Sequence, residues 1–195
     1  DFEFDFGTSG LDRKLYETPQ FTKKILVPFC PESELSGIQY KDFIPCCWYH
    51  RTVSISREQL QGAVYLHFGA VDYEAHVFVN GKEAGIHKGG YTSFQFEISS
   101  LLKEGENDLT LCAIDHPLEG KQPTGKQSDR YYSYACDYTR TTGIWQTVWL
   151  EFAPKAHIKS VRYFPNVAES SLTVEAHVEG SGIFTAEASF EDRPC

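Results

Sequence analysis

Several things are missing from this chain, and each absence excludes something. There is no methionine, not even at position 1. The opening DFEFDFG has neither a basic n-region nor an apolar h-region, so no signal peptide is read here and the chain reads as an excised or processed piece. No apolar run approaches the roughly 20 residues of a membrane-spanning helix. Positive charge is in the minority: 18 Lys and Arg stand against 27 Asp and Glu, a formal net charge of -9. That balance argues against nucleic acid or an anionic membrane as partner. Disorder is excluded by what is plentiful, since 41% of residues are hydrophobic and 14% aromatic, ample material for a packed core.

Metal-ligand spacing is also missing. The six cysteines include the adjacent Cys46 and Cys47, the chain-terminal Cys195, and Cys112 and Cys136 in strand or loop settings. None pairs at zinc spacing, and the seven histidines form no spaced cluster, so neither a metal nor a cofactor is expected. Free, mostly buried thiols and a reducing, cytoplasmic compartment are the favoured reading, with an oxidised Cys112–Cys136 pair as the alternative.

What the chain has instead of helical periodicity is alternation. Val64, Leu66 and Phe68 share one face; so do Ala75, Val77 and Val79, which run into Asn80-Gly81, a strong hairpin signal. Phe94, Phe96 and Ile98, then Leu109, Leu111 and Ala113, repeat the pattern, with turns at 88–91 and 104–107. KKILVPFCPESELSGI carries two prolines and reads as an extended segment along a sheet edge. Helix is expected only as a turn or two near 56–60, capped by Ser56, and at 99–102. Ile144 to Leu150 reads as one strand with Trp145 and Trp149 on a common face, favoured as core or interdomain packing over an exposed stacking platform for a sugar ring. Such short strands imply an all-β antiparallel sandwich. After Pro154 three more strands follow, IKSVRYFP, SLTVEAHVEG and GIFTAEASFED. They are too few for an independent sandwich, and the last would leave an edge that invites dimerisation.

In order along the chain stand VPFCPESELSGI, WYHRTVSI, LHFGAVDYEAHVFVNGKEAGIHKGGYTSFQFEIS, LLKEGENDLTL, GKQ and YTRTTGIWQTVWLE. Together they resemble the amino-terminal sugar-binding jelly-roll domain of glycoside hydrolase family 2, the β-galactosidase and β-glucuronidase family. The resemblance implies a galactose-binding-like jelly-roll β-sandwich over 1–154 and the truncated start of an immunoglobulin-like β-sandwich over 155–195. It also implies a retaining glycosidase whose two catalytic glutamates reside in a (β/α)8 barrel outside this sequence. The chain is then expected to be inactive alone. Its partners would be a β-galactoside or β-glucuronide, the barrel and further domains of a parent chain. The alternatives are a self-sufficient carbohydrate-binding module and a purely structural packing or oligomerisation domain.

Four residues are candidates for sugar contact. By the resemblance, Asp137 sits on a loop that reaches into the barrel's active site. A carboxylate there accepts sugar hydroxyls, in β-galactosidases partly through a bound metal; composition alone would make it a solvated loop aspartate. Arg140 either touches sugar or, the favoured reading, pins the loop through carbonyls or a carboxylate. Gly143 supplies a backbone conformation that other residues resist. His87 and Tyr91, in the HKGGY turn, could bond sugar hydroxyls or merely complete a turn. Tyr131, Tyr132, Tyr134 and Tyr138 line either a pocket or a domain interface. Carboxylate pairs such as Glu104 with Glu106 and Glu191 with Asp192 read as solvated surface, and a structural calcium has no residues that call for it.

Overall fold

The computed structural model describes residues 1–187, 189–190 and 193–194. Ala188, Glu191, Asp192 and Cys195 lie outside the described residues. The chain divides into two compact units, Asp1–Phe152 and Ala153–Cys195.

Ten strands precede the second unit's own: β1 (Phe2–Phe4), β2 (Cys46–Ile55), β3 (Ala63–Phe68), β4 (Val71–Asp72), β5 (Glu74–Val79), β6 (Lys82–Lys88), β7 (Phe94–Glu97), β8 (Gly105–Ile114), β9 (Gly143–Ile144) and β10 (Val148–Ala153). They form a five-stranded sheet, β1-β2-β8-β5-β6, a three-stranded sheet, β10-β3-β7, and the short pair β4-β9. The ladders β1-β2, β2-β8, β8-β5, β5-β6, β3-β7 and β4-β9 are antiparallel. The fold is a β-sandwich, as the alternation predicts.

The residues that share a face by alternation also share the core. Val64, Leu66 and Phe68 meet Ala75, Val77, Val79, Leu111 and Ala113 in one buried cluster. The outer face of the five-stranded sheet is covered as well: Cys46, Trp48, Phe78 and Cys112 pack beneath Leu11, Leu15, Tyr16 and Phe21. Tyr16 lies parallel to Phe78 at 4.0 Å. The amino-terminal segment thus hides a second apolar face, which is why β2 and β8 carry buried residues on both sides.

Asn80 (φ 51°) and Gly81 (φ 75°) make the turn between β5 and β6, the two left-handed residues that a tight hairpin matched to strand twist requires. Lys23 exchanges two backbone hydrogen bonds with Phe2, at 2.8 and 3.1 Å, beyond the β1 edge, the edge placement expected for that proline-bearing segment. Among the described residues helix is confined to single 3-10 turns, at Glu34–Ser36, Gln59–Gln61, Ser99–Leu101 and Pro117–Glu119. Ser56 Oγ accepts the Gln59 N–H at 3.4 Å, although the 3-10 turn starts after Glu58.

Three expectations need correcting. Ile144 to Leu150 is not one strand: β9 pairs with β4, whereas β10 pairs with β3. Residues 145–147 bridge the two, and Gly69 marks the break, its N–H donating to Thr147 O at 2.8 Å. Trp145 and Trp149 therefore part company. The cysteine paired in space with Cys112 is Cys46, Sγ to Sγ 3.3 Å, both free thiols, so the Cys112–Cys136 disulfide is absent. In the second unit β11 (His157–Asn166) and β12 (Ser171–Glu179) pair over their length. Residues 183–187 carry no strand, and β13 (Ser189–Phe190) pairs with β14 (Arg193–Pro194) rather than with β12.

Candidate functional site

The connection from β8 to β9 is long, polar and aromatic, and its return arm is held from below by buried polar groups. Thr142 N–H donates to both Glu32 oxygens, at 3.1 and 3.2 Å, and Thr142 Oγ1 donates to Asp115 Oδ2 at 3.2 Å. Gln122 Nε2 donates to the other Asp115 oxygen at 2.6 Å. Gly143 follows at φ 71°, where a Cβ would lie 2.3 Å from Tyr49 Oη. Only glycine satisfies that conformation and that contact together. Tyr49 Oη in turn accepts the Ile144 N–H at 3.2 Å.

Arg140 is the strut. Its side chain is buried, and its guanidinium lies 4.1 Å from the Phe43 ring centroid. It donates to Ser128 O at 3.1 Å and also to the carbonyls of Arg130 and Lys41. A planar fork can join three strands of chain in this way where a single ammonium could not. No ion pair joins it to Asp137 among the described residues. The favoured structural role, pinning the loop through carbonyls, is the one its contacts describe.

Above this base the loop tip folds on itself. Tyr134 and Asp137 exchange backbone hydrogen bonds of 3.2 and 2.9 Å, with Ala135 in the left-handed region at φ 53°. Ser133 Oγ meets Thr139 Oγ1 at 3.2 Å and accepts the Thr139 N–H at 3.2 Å. The Arg130 guanidinium stacks over Tyr134, 3.8 Å from its centroid. Asp137 is half-buried, and its Oδ1 accepts from the exposed Cys136 thiol at 4.0 Å. A weak thiol donor leaves most of the carboxylate's accepting capacity unused.

Beside the tip lies a cavity of about 280 Å³. Asp72 and Trp145 form part of its lining, Tyr91 and Tyr138 stand at it, and Lys126, Gln127, Thr139 and Thr141 complete it. Gln127 links the walls: Nε2 donates to Asp72 Oδ2 at 2.6 Å, and Oε1 accepts the Thr141 N–H at 2.8 Å. Asp72 Oδ1 is buried without a hydrogen-bond partner among the described residues, as is Arg140 Nε. Gly90 packs tightly here, since a Cβ on it would lie 2.3 Å from Asp72 Oδ1.

The electrostatics follow from burial. Removal from water pushes Glu32 up to about 7. Burial, with the nearby Asp115 and Glu32 charges adding to it, pushes Asp72 up to about 7. Asp115 is also raised by burial, against the hydrogen bonds from Gln122 and Thr142. The groups that are raised lie at positions 32, 72 and 115, brought together only by the fold.

Of the four sequence candidates, Tyr91 lines the cavity and Asp137 stands outside it on the adjoining tip. Arg140 lies beneath the tip. His87 is stacked on Phe94 at 4.0 Å, with Nε2 3.3 Å from Thr92 Oγ1, and is not among the cavity residues. Trp145 lines the cavity, and its indole N–H donates to Gly90 O at 2.8 Å. Trp149 is 45% exposed and lies parallel to His67 at 4.7 Å. Asp72 and Gln127 went unrecognised. The only sequence signal for Asp72 was a polar residue inside an otherwise apolar strand start.

Residues 9–154 match the family model described as glycosyl hydrolases family 2, sugar binding domain. The chain belongs to glycoside hydrolase family 2. The chain is 32% identical over 179 residues to a β-galactosidase of Thermoanaerobacter pseudethanolicus, an alignment covering 88% of this chain and 22% of that protein. Human β-glucuronidase is 24% identical over 218 residues, covering 98% of this chain and 34% of that one. In structure, a β-glucuronidase of an uncultured Clostridium superposes with a TM-score of 0.72 at 24% identity, over 92% of this chain and 32% of the other. That likeness concerns the fold. This family 2 chain thus spans about a fifth to a third of the length of these relatives.

Proposed function

We propose that this sugar-binding domain is a non-catalytic accessory unit of a β-glycosidase, of β-galactosidase or β-glucuronidase type, whose 125–142 loop completes one side of a sugar site. The observation that carries this reading is the state of Asp137. Its carboxylate is half-buried on a tip closed by its own backbone hydrogen bonds, meets only a weak thiol donor among the described residues, and rests on the Arg140 strut. A carboxylate held rigidly with unused acceptor capacity is suited to sugar hydroxyls. A (β/α)8 barrel elsewhere in the parent chain would supply the acid/base and nucleophile carboxylates. Residues 1–154 would brace that barrel as a jelly roll, and 155–195 would begin an immunoglobulin-like sandwich. The relatives' activities on β-galactosides and β-glucuronides name the two substrate classes.

Cys136, exposed and adjacent to Asp137, gives a direct test. In the parent protein, a saturating competitive sugar should slow alkylation of Cys136 severalfold. An alkylation rate unaffected by bound sugar would place the tip away from the sugar site.

A further inference from the structure

We infer that Cys46 and Cys112 are a reversible redox couple, closed to an intrachain disulfide by a hydroperoxide and gated by the 11–21 segment that covers them. Geometry selects this pair. The strand register sets Cys46 opposite Ile114 and Cys112 opposite Trp48, so the two cysteines are diagonal neighbours on the outer face of the five-stranded sheet. Their sulfurs lie 3.3 Å apart, and a bond of about 2.05 Å needs an approach of about 1.3 Å more. Cys47, although next in sequence, points into the inner core between the sheets. Among the described residues no other two cysteine sulfurs are in contact.

Both thiols are buried, but their cover is thin. Leu11, Leu15, Tyr16 and Phe21 lie over them. Among the described residues, the backbone hydrogen bonds of 11–21 run only to Ser9, Gly10, Leu11 and Lys14, and none reaches a strand. The ion pairs of the segment, Arg13 with Asp5 and Lys14 with Glu17, reach no strand either. Apolar contact alone, chiefly Tyr16 on Phe78, therefore holds the segment to the sheet. A cover without ladder bonds lifts at a lower free energy than the sheet beneath it unfolds.

The chemistry follows the cover. While it is closed, contact with the Cys46 sulfur and burial push the Cys112 thiol up, and the pair stays protonated and inert. Lifting the segment returns the pair to water, where one thiol ionises. Its thiolate attacks a peroxide oxygen, giving a sulfenic acid and hydroxide, which takes up the released proton. The second thiol's sulfur then displaces the sulfenic oxygen as water, and the S–S bond forms. One hydrogen peroxide thus takes two electrons from two thiols and leaves as two waters. The bridge would clamp the root of the β8–β9 connection: Asp115, three residues after Cys112, donates its N–H to the carbonyl of Pro45, beside Cys46, at 3.0 Å. The Asp137 reading does not enter this argument.

The test exposes the folded 195-residue chain, carrying Cys136→Ser to remove the exposed thiol, to hydrogen peroxide, followed by alkylation and peptide mapping. A Cys46–Cys112 linked peptide should form and be reversed by dithiothreitol. The oxidised chain should melt about 5–10 °C higher, since the bridge closes a long loop, and exchange of the Asp115 amide should slow severalfold. Tyr16→Ala, which loosens the cover, should speed disulfide formation about fivefold or more. Cys112→Ser should yield no linked peptide; where that variant fails to fold, Cys46→Ala takes its place. Two thiols still alkylatable after a treatment that links them in the urea-unfolded chain would overturn the inference. So would linkage through a different cysteine, or a rate indifferent to Tyr16→Ala.

Discussion

Gln127 Nε2 donates to Asp72 Oδ2 at 2.6 Å, and through this one amide both arms of the 125–142 loop are tied to the β4 strand. The arms also pair directly: Tyr138 N–H donates to Lys126 O and Ser128 N–H to Tyr138 O, each at 2.7 Å. Loop position is thus fixed by the sandwich rather than by the loop's own composition. Asp137 inherits its place from that anchoring.

Replacing Gln127 by Leu strands Asp72 with neither oxygen partnered and frees the Thr141 N–H. The expected cost is about 1–3 kcal/mol, read from urea unfolding of the 195-residue chain, with amide exchange accelerated at 138–142. A variant as stable as the original, with unaltered exchange, would show that the amide bridge contributes nothing.

Gly143→Ala should rank among the most damaging small substitutions. The left-handed backbone costs about 1–3 kcal/mol for a residue with a Cβ. The new methyl would also displace the Tyr49 hydroxyl, 2.3 Å from the Cβ position, and with it the acceptor of the Ile144 N–H. Thermal unfolding should drop by several degrees. An unchanged melting temperature would contradict the φ of 71° at this position.

Much of this fold is legible in the sequence because each strand has a face to bury, and burial imposes a period of two on Val64 to Phe68, Ala75 to Val79 and Leu109 to Ala113. The Asn80-Gly81 turn is legible because few residue pairs accept left-handed backbone twice. Arg140 as a strut was a readable expectation, since a fork of donors beside a loop needs carbonyls. The buried carboxylates were not readable. Glu32, Asp72 and Asp115 are dozens of residues apart, and only the β2–β8–β5 pairing and the edge segment bring their environments together. The parting of Trp145 from Trp149 was hidden for a related reason: alternation continues straight through 145–147, while the hydrogen bonds switch from β4 to β3.

The raised carboxyls make stability depend on pH in a defined direction. Glu32 and Asp72, each about 7 when folded against 4.5 and 3.8 as ordinary values, bind their protons more tightly in the folded chain. Their stabilising contribution is complete below the ordinary values and is lost as pH rises through about 7. Glu3 acts oppositely: burial would raise it, but hydrogen bonds from Lys23 and Thr22 outweigh that and hold it down to about 2. Its contribution is present above 4.5 and lost as pH falls toward 2. The urea midpoint should therefore peak on the acid side of neutrality and decline between about pH 5 and 8. Glu32→Gln, which keeps an acceptor for Thr142, should flatten that decline. A midpoint that rises across the same interval would contradict the burial argument.

The central claim is that Asp137 reaches the sugar, and the kinetics of the parent enzyme carrying Asp137→Ala test it most directly. Loss of a hydrogen bond to a charged group is expected to lower kcat/KM about 10- to 100-fold, with the melting temperature unchanged because the Asp137 side chain braces nothing in the loop. Unaltered kcat/KM in a folded variant would contradict the claim and leave this domain without a part in the sugar site.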